Sequence, residues 1–193
     1  MKYLLALCVS LCSLATSAEQ NYGWLVYGDS QSFVVQDTGD ARHNWPYLLQ
    51  TATGRHFMNL SRGGRRLADG FVADHLRSAE IYPENQEVKG IIIALGSLDA
   101  IWGEDPSAAL VDAVQEAELR GLDVICLLPP DNKVRINEDV RATIRSLCPD
   151  TIDMSLYVGP DEMVDQVHFG QHGHGIYATS VLWAMALKGK FID

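Results

Sequence analysis

Gly28-Asp29-Ser30 follows the apolar run Trp24-Leu25-Val26-Tyr27, and Asp165 precedes His168 by three residues near the other end of the chain. A serine hydroxyl is too weakly acidic to attack a carbonyl unaided. A histidine can take its proton near neutral pH, and a carboxylate on the second ring nitrogen fixes the tautomer and stabilises the imidazolium. Ser30, His168 and Asp165 are therefore the candidate nucleophile, base and orienting carboxylate of an acyl-transfer site. Asp29 is expected to be structural, bonding loop amides behind the serine. The scheme calls for no metal and no cofactor. His168, His172 and His174 lie close in sequence without a strong ligand motif around them, and His174 is assigned to a helix start.

These residues need a frame that brings them together. Strand-like apolar runs occupy residues 24–27, 56–60, 90–95, 124–128 and 151–156, with helix-like stretches between them. Ile91-Ile92-Ile93-Ala94-Leu95 is apolar at every position, as a parallel strand covered on both faces should be. The clearest helix has Asp105 as its cap, Pro106 in its first turn, Leu110, Val114 and Ala117 on one face, and Gly121 at its end. Further helices are expected at 45–50, 67–79, 137–147 and 173–187. Alternating strand and helix predicts a doubly wound α/β sandwich, whose ligands bind at the carboxyl ends of the strands. Gly28-Asp29-Ser30, Ser61-Arg62-Gly63-Gly64, Gly96-Ser97-Leu98-Asp99 and Asp165-x-x-His168 all fall on that rim. No internal repeat, low-complexity tract or linker interrupts the chain.

Residues 1–18 read as a secretory signal: Lys2, an apolar stretch from Tyr3 to Leu14, and the small residues Thr16-Ser17-Ala18. The apolar stretch is too short to span a bilayer. The expectation is an exported protein, periplasmic or secreted, with one domain at 19–193 and no stable membrane insertion. Without Lys2 the chain has 14 basic against 25 acidic residues, a formal charge of −11, which argues against nucleic acid as a partner. Cys126 and Cys148 fit either a disulfide or two inert buried thiols, and both readings stand.

The four rim stretches, in this order, resemble the blocks of the GDSL or SGNH hydrolase family, and the resemblance covers essentially the whole of 19–193. Val26-Tyr27-Gly28-Asp29-Ser30 resembles the nucleophile block, and Trp45-Pro46-Tyr47-Leu48-Leu49 the helix that commonly follows it. Asn59-Leu60-Ser61-Arg62-Gly63-Gly64 resembles the second block, and Asp165-Gln166-Val167-His168-Phe169 with Gly173-His174 the last. The likeness is nearest to small bacterial periplasmic esterases and thioesterases of the lysophospholipase type. It implies a flavodoxin-like three-layer sandwich with a five-stranded parallel sheet, a Ser30–His168–Asp165 triad, and an oxyanion hole formed by the backbone N–H groups of Ser30 and Gly64. The third block departs from the pattern. The family usually has Gly-x-Asn-Asp, with the asparagine donating to the oxyanion; Gly96-Ser97-Leu98-Asp99 has Leu98 there, and leucine donates nothing.

Ser97, Leu98, Trp102 and Asn132 are candidates to line the substrate pocket, with Ser97 and Asn132 as possible replacements for the missing donor. Arg62, Arg65 and Arg66 read either as a grip for an anionic group or as a solvated helix start. The resulting expectation is a monomeric serine hydrolase that cleaves small carboxylic esters or thioesters, including those of acylated lipids or glycans. Its rivals are a carbohydrate O-deacetylase and a degenerate member that binds an acyl or glycan ligand without turnover.

Overall fold

The computed structural model describes residues 23–33, 35–78 and 87–190. The expected signal segment and the far end of the expected 67–79 helix lie outside them. Five parallel strands, β1 (Gly23–Gly28), β2 (Phe57–Asn59), β3 (Val88–Ala94), β4 (Asp123–Leu128) and β5 (Thr151–Asp153), form one sheet in the order β2-β1-β3-β4-β5. This is the flavodoxin-like order, with its reversal between β1 and β3. Among the described residues seven α-helices accompany it: α1 (Ser30–Phe33), α2 (Trp45–Thr53), α3 (Phe71–Arg77), α4 (Ser97–Trp102), α5 (Ser107–Leu119), α6 (Glu138–Leu147) and α7 (Gln171–Leu187).

Strand side chains alternate between two buried layers, which is why the central strands are apolar throughout. Leu25, Tyr27, Ile91, Ile93, Val124, Cys126 and Leu128 pack with residues of α3, α5 and α6. Trp24, Val26, Ile92, Ile125, Leu127 and Ile152 pack on the opposite face with residues of α2 and α7. The three-layer sandwich implied by the sequence is thus observed.

Local chemistry sets the element ends. Asn44 caps α2 by accepting from the Tyr47 amide at 3.0 Å, with Pro46 in the first turn and Gly54 left-handed at the end. Asp105 accepts from the Ser107 amide and hydroxyl, so it serves the start of α5 from one residue before Pro106. The expected helix from residue 67 is broken. Leu67–Asp69 form a 3-10 turn, Gly70 turns left-handed, and α3 begins at Phe71. The cause is distant: the Asp99 carboxylate accepts from the Leu67 and Ala68 amides, at 2.9 and 2.8 Å, fixing that turn in a separate orientation. β5 ends at Asp153, earlier than the apolar run suggests, because the Asp153 side chain accepts from Ser155 and starts another 3-10 turn. Residues 97–99, which follow β3 on the rim, open α4.

Cys126 of β4 and Cys148 after α6 form a disulfide across 22 positions of sequence. Closing a loop of that length restricts the unfolded chain and is worth roughly 3 kcal/mol. The double variant Cys126→Ala/Cys148→Ala, or wild type under a strong thiol reductant, should lose ~2–4 kcal/mol of unfolding free energy in a urea titration.

Candidate active site

Ser30 stands where β1 turns directly into α1, half-buried at the rim. The turn is tight because Gly28 has no side chain: a Cβ there would collide with the Ser32 hydroxyl and come within 2.7 Å of the Ser61 hydroxyl. Buried Asp29 accepts from the Gln31 amide at 2.8 Å, as a structural aspartate behind the serine should. Two further bonds hold α1. The Ser32 hydroxyl accepts from the Trp45 indole at 3.0 Å, and the Ser32 carbonyl accepts from the Asn59 side chain at 2.7 Å.

The histidine arrives on a separate loop, closed by an antiparallel bridge between Met163 and Phe169 and anchored by the buried Phe169 ring. One Asp165 oxygen accepts from the Val167 and His168 amides, each at 2.7 Å, and the other lies 2.7 Å from His168 Nδ1. His168 Nε2 lies 2.9 Å from Ser30 Oγ. With its Nδ1 proton directed at Asp165, the ring presents a lone pair at Nε2 to the serine hydroxyl. Partial desolvation works against the Asp165 charge, but the Val167 amide and the His168 side chain and amide outweigh it, holding the carboxyl down to about 2. The Asp165 carboxylate is therefore ionised throughout the neutral range.

Bonds between loops fix this relay. The Gln31 side chain donates to the Val167 carbonyl at 2.7 Å, joining the helix that carries Ser30 to the loop that carries His168. Lys133 donates from its backbone to Gln166 and from its side chain to Met163, tying the segment after β4 to the same loop. Neither Gln31 nor Lys133 stands out in the sequence, because each partner is remote in the chain.

The segment after β2 approaches Ser30 from the other side. The Arg62 amide donates to the Gly28 carbonyl at 3.0 Å, and a Cβ on Gly63 would sit 3.9 Å from that of Ser30. Gly64 is left-handed, φ 79°, and among the described residues no acceptor takes its amide. The Arg65 guanidinium donates to the Leu60 carbonyl at 2.6 Å and lies 3.5 Å from the centre of the Phe71 ring.

The remaining candidates divide. Leu98 lies half-buried in the first turn of α4, beside the fully buried Asp99. The Ser97 hydroxyl accepts from the Asn132 side chain at 3.3 Å, and the Asn132 oxygen accepts from the Val134 and Arg135 amides. These two side chains are thus bonded to each other and to the turn after β4. Trp102 is exposed, with the Arg66 guanidinium 4.7 Å from its ring, and Arg66 pairs with Asp69 and Glu104. The histidines separate: His172 bonds Glu162 at 2.8 Å, while fully buried His174 accepts from the Trp45 amide. No group of three or more His, Cys, Asp or Glu among the described residues is arranged to hold a metal ion.

No protein-family model and no curated protein matches the chain in sequence. Solved structures do match. The psychrotrophic esterase EstA from Pseudoalteromonas sp., inhibited by monoethylphosphonate, superposes with a TM-score of 0.67 at 13% identity over 87% of this chain and 98% of its own. A member of the lipolytic protein G-D-S-L family from Veillonella parvula gives 0.64 at 16% identity, over 86% and 98% of the two chains. The lipase/acylhydrolase from Enterococcus faecalis gives 0.65 at 17%, over 86% and 96%. This chain shares the fold of these proteins. At such low identity the likeness is one of architecture alone, and any chemistry rests with the residues on this chain's own rim.

One buried group there is under-compensated. Burial pushes the Asp29 carboxyl up to about 6, with nearby Asp99 adding repulsion, while the Gln31 amide and His168 offset part of it. A carboxyl whose folded pKa is raised gives its full contribution to stability below the unfolded value of 3.8 and loses it as pH rises through about 6. Asp29→Asn keeps an oxygen to accept from Gln31 and removes the charge. Urea titrations should show the variant gaining on wild type between pH 4 and 7, by on the order of 3 kcal/mol at the upper end.

Proposed function

We propose that this protein is a serine hydrolase that cleaves carboxylic esters, thioesters included, through an acyl-enzyme on Ser30. The carrying observation is the unbroken relay from Asp165 through His168 to Ser30, at 2.7 and 2.9 Å, at the carboxyl ends of the strands. His168 Nε2 takes the hydroxyl proton as Ser30 Oγ bonds the substrate carbonyl carbon. The oxyanion so formed faces the Ser30 and Gly64 amides. His168 then gives its proton to the departing alcohol or thiol as the carbonyl re-forms, and a water repeats the sequence to release the acid. Export of the 19–193 chain accords with the signal-like first eighteen residues and with the Cys126–Cys148 bridge, which an oxidising compartment preserves.

On 4-nitrophenyl acetate, Ser30→Ala and His168→Ala should each lower kcat by ~10⁴-fold or more, and Asp165→Ala by less. An alkyl phosphonate should label Ser30 at one equivalent. Hydrolysis that survives Ser30→Ala sinks the covalent mechanism.

Leu98 favours a second reading, in which the site binds an acyl or glycan ligand without turnover, because the side chain at the resemblance's asparagine position cannot donate to an oxyanion. One such donor is worth ~10²–10³ in kcat in other hydrolases. If wild type works with the two backbone donors, Leu98→Asn should raise kcat toward that factor with little change in KM, since the new bond acts on charge present only in the transition state. An unchanged kcat in an active enzyme means a third donor is already in place. Wild type and variant both inert, with wild type binding an acyl ligand, selects the binding reading.

A further inference from the structure

The chain has 15 basic and 25 acidic residues, so cations are its scarce charge, and the fold sets most of its arginines against carboxylates. Arg42, Arg66, Arg77, Arg120, Arg141 and Arg145 each make at least one such ion pair. Of the arginines that follow β2, Arg66 is paired in this way and Arg65 is bound to the Leu60 carbonyl and the Phe71 ring. Arg62 and Arg135 differ: both are exposed, and neither guanidinium has a carboxylate within 4.0 Å among the described residues. Both stand on the rim that carries Ser30, in the segments after β2 and β4.

Arg62 is the nearer to the chemistry. Its amide is bonded to Gly28, two residues before Ser30, and Gly63 and Gly64 follow it directly. An acidic protein repels an anionic substrate at long range, so such a substrate needs a local cation that no carboxylate has already neutralised. A guanidinium supplies that charge together with a fork matching a carboxylate or phosphate.

Resting on the Ser30 hydrolase reading, we propose that the natural substrate is an anionic ester whose carboxylate or phosphate group, a few bonds from the scissile carbonyl, is received by Arg62. The group belongs to the acyl part or to the alcohol part, and paired substrates distinguish the two. 4-Nitrophenyl butyrate against mono-4-nitrophenyl glutarate tests the acyl side; phenyl acetate against 4-phosphonophenyl acetate tests the alcohol side. In one pair, the anionic member should show a kcat/KM at least ~10-fold above its neutral partner at low salt, with the advantage shrinking as salt screens the charge. Arg62→Gln should lower that advantage by ~10–100-fold, the range expected for one charge-assisted hydrogen bond. Arg145→Gln removes the same charge from the distant α6 and should preserve it.

No anionic advantage in either pair, with Ser30-dependent hydrolysis intact, overturns the inference and leaves the hydrolase reading standing. An advantage that persists in Arg62→Gln also overturns it. If no ester is turned over, the hydrolase reading fails, and glutarate and inorganic phosphate become the probes. Either anion should raise the melting temperature of wild type more than that of Arg62→Gln, and equal shifts or none overturn the assignment.

Discussion

The absence of a side chain at Gly28 is the constraint on which the rim depends. Ser32, Ser61 and the backbone of Arg62 all crowd toward that position, so the chain can leave β1 and enter α1 without an intervening loop. That turn fixes where the serine oxygen lies. The approach of the segment after β2 fixes where a negative charge developing beside it would find N–H groups. Three other segments are then fastened to this turn by single side chains: Asn59 from the end of β2, Trp45 from α2, and Gln31 reaching to the histidine loop. The architecture delivers the loops to one edge, and these few bonds bring them into register.

Much of this was legible in sequence, for reasons particular to each element. The central strands could be read because both their faces are covered, and β3 is apolar accordingly. Asp165 and His168 could be read as a pair because a bond between them closes within four residues. What escaped notice acts over distance or over too few residues. The break at Gly70 is enforced by Asp99, some thirty positions later, and β5 is cut short by its own aspartate. α1 and α4 are too short to display a helical period. Gln31 looked like any polar residue, since its acceptor lies 136 positions away. The three arginines after β2 formed one cluster by sequence, and only side-chain partners separated Arg65 and Arg66 from Arg62.

Two neighbouring buried carboxyls, Asp29 and Asp99, are satisfied to different degrees. Asp99 receives two backbone amides, one on each oxygen, and serves as a fixed post for the 67–69 turn. Asp29 receives one, and its carboxyl is raised. Its ionised form is costly to bury, and it is held directly behind Ser30. An uncharged residue would be easier to bury at this turn.

The outermost strands, β2 and β5, are three residues each, against seven in β3. A short border offers an incoming strand few N–H and C=O groups in a row, and in β5 that run stops where Asp153 bends the chain away. The sheet is therefore long only where it is flanked on both sides, and strand addition from a second molecule would gain too few bonds to propagate. Resistance to edge-to-edge association is thus built into the same brevity that frees the chain after β2 to curl toward the serine.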